Sequence, residues 1–164
     1  MNNKYKVILW DFGGVLTQSP INNFSYFEKV NGFPRGTIIK INSRNYLKNA
    51  WALIEKNKIS KKEFNAMFKK EAAEIGIDSI DIEGILSCLN PDINKDIYNI
   101  FKVIKKKYKC VCLTNNININ NLPFKKSSFE KVRNDFFLVF ESCKLGVRKP
   151  EEEIYKIVLK KLNI

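Results

Sequence analysis

The sequence contains no histidine. That removes Ser-His and Cys-His nucleophilic systems, which need an imidazole to take the nucleophile's proton. Cysteine is sparse, with four residues at 88, 110, 112 and 143, and none of them shows the paired C-x2-C spacing of a zinc site. Cys110 and Cys112 flank Val111 inside an apolar run. On a strand they share one face and read as buried free thiols. No apolar run approaches the roughly 20 residues of a membrane span. The segment before Trp10 is too short and too quickly interrupted for a signal peptide. The expectation is a soluble, cytoplasmic protein with no membrane partner.

Arginine is scarce, standing only at 35, 44, 133 and 148, and the rest of the 29 basic residues are lysine. The net charge of +12 points formally toward nucleic acid. No arginine cluster or interleaved aromatic stripe supports that, and lysine, asparagine and isoleucine are all abundant. Lys105, Lys106 and Lys107 close a predicted helix, where cations suit the dipole. No nucleic-acid partner is expected. What the chain does have is apolar material: 45% hydrophobic and 12% aromatic over 164 residues. That suffices for one core, with or without an inserted subdomain.

Residues 5–10 read as a buried strand, apolar on both faces, with Asp11 at its C-terminal end. From 17 to 89 the pattern is helical and punctuated. Ser60 and Glu63 make a capping box, opening a helix that buries Phe64, Met67 and Phe68 and ends near Gly76. Pro91 and Asp92 start another helix, with Ile93, Ile97, Ile100, Phe101 and Ile104 as its buried stripe. A second strand over 110–113 runs into Thr114-Asn115-Asn116. The asparagine-rich 117–121 reads as loop, 136–140 as a third strand, 146–150 as loop and 151–162 as a last helix.

Strands alternating with helices predict an α/β fold with a parallel sheet. Sites in such sheets lie beyond the C-terminal strand ends, and Asp11, Thr114 and the 146–150 loop all fall there. A carboxylate followed by Gly13 and Gly14 can approach a ligand closely, as a nucleophile or a Mg2+ ligand; taken alone it also fits a turn or N-cap aspartate. Thr114 offers a hydroxyl and the N–H groups after it an anion cradle. Lys149 can neutralise a phosphate or damp the charge on Asp11. Each is weak alone; the three together at strand ends are specific. Asp11-Phe12-Gly13 is not the kinase motif, because a kinase places its other loops upstream and only ten residues precede it.

"ILWDFGGVL", "CVCLTNN" and "GVRKPEEEIYKIVLKKL" resemble the first three motifs of the haloacid dehalogenase superfamily of hydrolases. The branch they resemble most includes the N-terminal phosphatase domains of soluble epoxide hydrolase and of acyl-CoA dehydrogenase family member 10. Pro34-Arg35-Gly36-Thr37, Glu141-Ser142-Cys143 and Ile154-Tyr155-Lys156 add to it, and it covers almost the whole chain. The resemblance implies a Rossmann-like core (1–16 and 90–164) with an inserted helical cap (17–89). It implies a Mg2+-dependent phosphatase acting on a small phosphorylated metabolite. Asp11 would be the nucleophile, and its carboxylate and the Gly13 carbonyl would bind Mg2+. Thr114 and the Asn115 N–H would hold the phosphoryl group, and Lys149 would stabilise charge.

Two departures accompany the resemblance. The second aspartate of such phosphatases, a general acid for the leaving group, is replaced by Gly13. A glycine carbonyl cannot donate a proton. Dehalogenases and phosphonatases of the superfamily also lack that aspartate, so their chemistry is an alternative. The fourth motif, paired acids on a further strand, does not appear before Ile164. The expectation is a fragment with an exposed edge on its first strand and impaired turnover, or a non-catalytic remnant or binding domain.

Overall fold

The apolar run Val7–Trp10 forms β1, the first strand of a three-stranded parallel sheet, in a computed structural model that describes residues 5–164. Lys109–Thr114 forms β2 and Leu138–Glu141 forms β3, in the order β1-β2-β3. Ile8 pairs with Cys110 and Trp10 with Cys112; Thr114 pairs with Glu141. The α/β class with a parallel sheet is therefore as the strand–helix alternation predicts. Five helices lie between β1 and β2's approach: α1 (Pro20–Val30), α2 (Thr37–Ser43), α3 (Ala50–Glu55), α4 (Lys61–Ala73) and α5 (Ile82–Ser87). Then come α6 (Lys95–Ile104), α7 (Ser128–Val132), α8 (Ser142–Leu145) and α9 (Glu152–Leu162).

The sheet is covered on both faces, which is why β2 is apolar throughout. Cys110 and Cys112 point into one layer with Phe12, Leu16, Phe101, Val132 and Phe136. Val111 and Leu113 point into the other with Phe140, Ile154 and Val158. All four cysteines are buried free thiols. Among the described residues β1 pairs only with β2, and its Leu9 is 44% exposed.

The helices α1–α5 pack on their own core, in which Phe24, Trp51, Phe64, Phe68 and Ile85 are prominent. Trp51 meets Phe24 and Phe64 edge-on, the arrangement that aromatic quadrupoles favour. The Ser60–Glu63 capping box is formed. The chain enters and leaves this helical segment through one narrow place. Thr17 bridges Ile93, Gln18 N donates to the Asp92 carbonyl at 2.8 Å, and Asn94 N donates to the Leu16 carbonyl at 2.9 Å.

Some local readings differ from the structure. Helix α6 starts at Lys95 with Asn94 as its cap, not at Pro91; residues 90–93 are taken up by the neck with Thr17 and Gln18. Ile100 is exposed rather than part of the stripe, because Phe101 alone of that turn is fully buried against the sheet layer. The loop over 117–121 holds a single 3-10 turn, Ile119–Asn121. Among the described residues no helix is long and apolar enough to cross a membrane.

Candidate active site

Asp11 leaves the C-terminal end of β1, and its Oδ1 accepts from the next backbone N–H, Phe12, at 2.7 Å. The chain then turns sharply. The N–H groups of Val15, Leu16 and Thr17 all converge on the Phe12 carbonyl. Gly14 takes φ +76°, a left-handed conformation that suits glycine. The Thr17 hydroxyl accepts from Gly14 N at 3.1 Å and locks the turn. Gly13 is different: a Cβ built on it meets nothing within 4 Å. Its backbone faces open space beside the Asp11 carboxylate, whose side chain is 44% exposed.

Lys149 comes from the loop before α9, far away in sequence. Its Nζ lies 2.7 Å from Asp11 Oδ1 and donates to the Leu113 carbonyl at 3.0 Å. What holds it there is Asn115. The Asn115 amide donates to the Lys149 carbonyl at 2.9 Å and accepts from the Lys149 N–H at 2.8 Å. This reciprocal pair fixes the lysine's backbone to the end of β2. Thr114 is buried, at the end of β2 next to Asp11's strand. So Asp11, Gly13, Thr114, Asn115 and Lys149 meet at one corner of the sheet.

Two residues join this corner that sequence reasoning did not single out. Glu55, the last residue of α3, is buried and places Oε2 2.8 Å from Arg148 Nε, a charge contact rather than an aligned hydrogen bond. Trp51 Nε1 donates to its other oxygen at 3.0 Å. Burial holds the Glu55 carboxyl above the ordinary carboxylate range, and Arg148 opposes that shift. Lys56 pairs with Glu151 at 2.9 Å, and the Ser142 hydroxyl donates to the Glu55 carbonyl at 2.8 Å. The C-terminal end of α3 is thereby fastened to the loop that carries Lys149. A glutamate and an arginine 93 positions apart leave no local pattern by which to pair them.

The thiols are excluded as nucleophiles. Burial pushes Cys112 up to about 12, with the Asp11 charge adding to it, and Cys143 up to about 11. At neutral pH both stay protonated and unreactive. The Asp11 carboxylate, by contrast, is accessible.

The donor set has the oxygen chemistry that Mg2+ prefers. Mg2+ is commonly held by one or two carboxylates, with waters and substrate phosphate completing its octahedron. Here the candidate donors are the Asp11 carboxylate, which is part-exposed, and the main-chain carbonyl of Gly13 two residues on. Among the described residues no three acidic, cysteine or histidine side chains come together, so most of the shell would be water and phosphoryl oxygen.

Comparison with solved structures decides the architecture. A haloacid dehalogenase family enzyme of Bacteroides thetaiotaomicron, solved with magnesium and inorganic phosphate, aligns over 97% of this chain and 79% of its own, at 24% identity and a TM-score of 0.61. This chain has the haloacid dehalogenase fold. The same fold is shared with a predicted hydrolase of Porphyromonas gingivalis, at 17% identity and a TM-score of 0.63 over 99% of this chain and 78% of the other. It is also shared with the L-2-haloacid dehalogenase of Xanthobacter autotrophicus, solved with chloropropionic acid covalently bound. That match has 12% identity and a TM-score of 0.61 over 97% and 65% of the two chains. In sequence the chain is 28% identical over 169 residues to mouse acyl-CoA dehydrogenase family member 10. The alignment takes in 98% of this chain and 15% of that protein's length. No family profile matches the sequence.

Proposed function

We propose that the chain is a Mg2+-dependent phosphatase of haloacid dehalogenase type, acting on a small phosphorylated metabolite. The observation that carries this reading is the 2.7 Å pair between Lys149 Nζ and Asp11 Oδ1, placed beside Thr114 at adjacent strand ends. In it the Asp11 carboxylate attacks phosphorus, the bond from phosphorus to the ester oxygen breaks, and an aspartyl phosphate forms. Water then attacks that phosphorus, and Asp11 is regenerated as phosphate leaves. The Thr114 hydroxyl and the Asn115 N–H hold phosphoryl oxygens, and Lys149 offsets their growing charge. The Asp11 carboxylate and the Gly13 carbonyl would hold Mg2+, which would supply further neutralisation of the phosphoryl oxygens. The helices of residues 17–89 act as a cap that excludes water and selects the substrate.

Gly13 offers no proton to the departing oxygen. A positioned acid is worth roughly 10²–10⁴ in rate, so turnover is slow on alkyl esters and faster where the leaving group is itself acidic. The same glycine favours a second reading, displacement of halide from a 2-haloacid by Asp11, because a halide leaves without a proton.

Both readings are separated by one assay. Release of phosphate from a panel of phosphomonoesters and of chloride from 2-chloropropionate is followed with Mg2+ present, for the wild-type chain, Asp11→Asn and Lys149→Ala. Phosphate release abolished by Asp11→Asn and reduced about 10²–10³-fold by Lys149→Ala is expected. Chloride release alone would select the second reading. No release of either would leave a binding domain in place of an enzyme.

A further inference from the structure

A cavity of about 300 Å³ opens beside Gly13 and Thr114. Its wall is largely apolar, with Phe12, Leu89, Ile117, Leu122, Phe124 and Phe129. Phe12 and Phe129 meet edge-on with centroids 4.9 Å apart. The same wall contains the cations Arg133 and Lys144 and the glutamates Glu55, Glu130 and Glu141; Arg133, Glu141 and Lys144 form one group. Glu141 closes β3 in register with Thr114 of β2, and Asp11 follows β1. Two strand spacings, about 10 Å, therefore separate this charged group from the strand that carries Asp11.

The group is built and buried at its centre. Glu141 accepts from Asn116 Nδ2 at 2.7 Å, from Arg133 at 3.1 Å and from Lys144 at 2.5 Å. Within this trio two cations share one carboxylate, while Glu55 on the same wall faces Arg148 and Glu130 accepts from the Ser127 N–H as part of the α7 capping box. Arg133 Nε is buried and has no hydrogen-bond partner among the described residues. A buried donor left unpaired is costly, and an arginine fork is suited to a carboxylate. The volume is at the low end for small-molecule pockets, which suits a ring-sized body better than a long chain.

We infer that Arg133 and Lys144 form a second, distal anion subsite, and that the substrate is a phosphomonoester with a compact apolar body bearing a carboxylate. The phosphate end of this inference rests on the phosphatase reading; the distal end does not. Arg133 is a specificity-determining residue. It takes no part in bond breaking and recognises the end of the substrate that does not react.

The test is equilibrium binding by titration calorimetry, with Mg2+ present. Asp11→Asn protein is used so that the esters stay intact. Four probes are compared: phenyl phosphate, 4-carboxyphenyl phosphate, phenol and 4-hydroxybenzoate. The carboxylated ester is expected to bind about tenfold tighter than phenyl phosphate. Adding Arg133→Gln should erase that preference and leave phenyl phosphate affinity in place. Lys144→Gln should weaken it, and because Lys144 is 60% exposed this variant keeps the fold. Equal affinity for the two esters, or a preference that survives both substitutions, overturns the subsite. If neither ester binds better than its alcohol, the phosphatase reading fails instead. In that case tighter binding of 4-hydroxybenzoate than of phenol, lost with Arg133→Gln, still upholds the distal subsite, and its absence overturns that too.

Discussion

Gly13 is the residue on which the proposed chemistry turns. Its neighbour Gly14 needs its left-handed φ, and a side chain there would be strained. Gly13 carries no such demand: the space in front of its Cα is empty to 4 Å. Gly13→Asp should therefore fold as the wild type does, and place a carboxyl beside Asp11. The expected outcome is a rise of about 10²-fold in hydrolysis of an alkyl phosphate, with little change for p-nitrophenyl phosphate, whose leaving group needs no proton. Equal gains on both esters, or none, would show that proton donation is not what limits the wild-type chain. The positions of Asp11 and Thr114 at strand ends were legible in sequence, because an apolar run that stops at a polar residue marks a strand end. The part played by Asn115 was not. Its N–H belongs to the expected phosphate cradle, but its side chain holds Lys149 across 34 positions, a pairing that only the parallel register of β2 creates.

At the scale of elements, two buried glutamates set how the helices sit. Glu28 of α1 is 1% exposed and caps its neighbour. Its oxygens accept from Gly36 N at 2.7 Å and Ile38 N at 2.8 Å, at the start of α2, where Gly36 has no capping side chain of its own. Glu28→Ala leaves those donors buried and should cost about 2–3 kcal/mol of stability in urea unfolding. A loss indistinguishable from that of an exposed glutamate would disprove the capping role. Glu55 behaves differently. Burial raises its carboxyl above 4.5, with Arg148, Lys149 and Asp11 as the charged groups acting on it. The folded chain thus holds this proton more tightly than the unfolded one. Its contribution to stability is complete below the unfolded value of 4.5 and is lost as pH rises through the raised folded value. Glu55→Gln removes that term, so its melting temperature should fall less than the wild type's as pH rises above 4.5. Parallel curves would refute the buried-carboxylate account. Helix α4 was readable in sequence because Ser60 and Glu63 sit three apart; Glu28 and Glu55 were not, because each acts on a different element.

Over the whole molecule the charge of +12 is spread rather than gathered. Most lysines that face acids do so singly, as Lys56 on Glu151, Lys61 on Glu83, Lys105 on Asp135 and Lys156 on Glu152; Lys144 shares Glu141 with Arg133. Tyr98 donates to the same Asp135 carboxylate, which Lys105 and Tyr98 together hold below its ordinary range. Binding to duplex DNA or single-stranded RNA should therefore be weak and non-specific, falling steeply between 50 and 200 mM salt by about 10³-fold or more. Binding that persists at the higher salt would restore a nucleic-acid role. The parallel sheet was foreseeable from strands alternating with helices. The residue contacts within α1–α5 were not, because hydrophobic periodicity identifies a helix face without saying which other face covers it.

The neck at Thr17 and Ile93 has a consequence for how the chain can be rebuilt. The Leu16 carbonyl and the Asn94 N–H already meet at 2.9 Å, so a short turn could join those positions with β1 and β2 kept in register. The helical segment is in that sense a cassette with a single doorway. Another segment could be spliced through it, provided it replaced the Glu55–Arg148 and Lys56–Glu151 contacts by which α3 fastens the loop of Lys149.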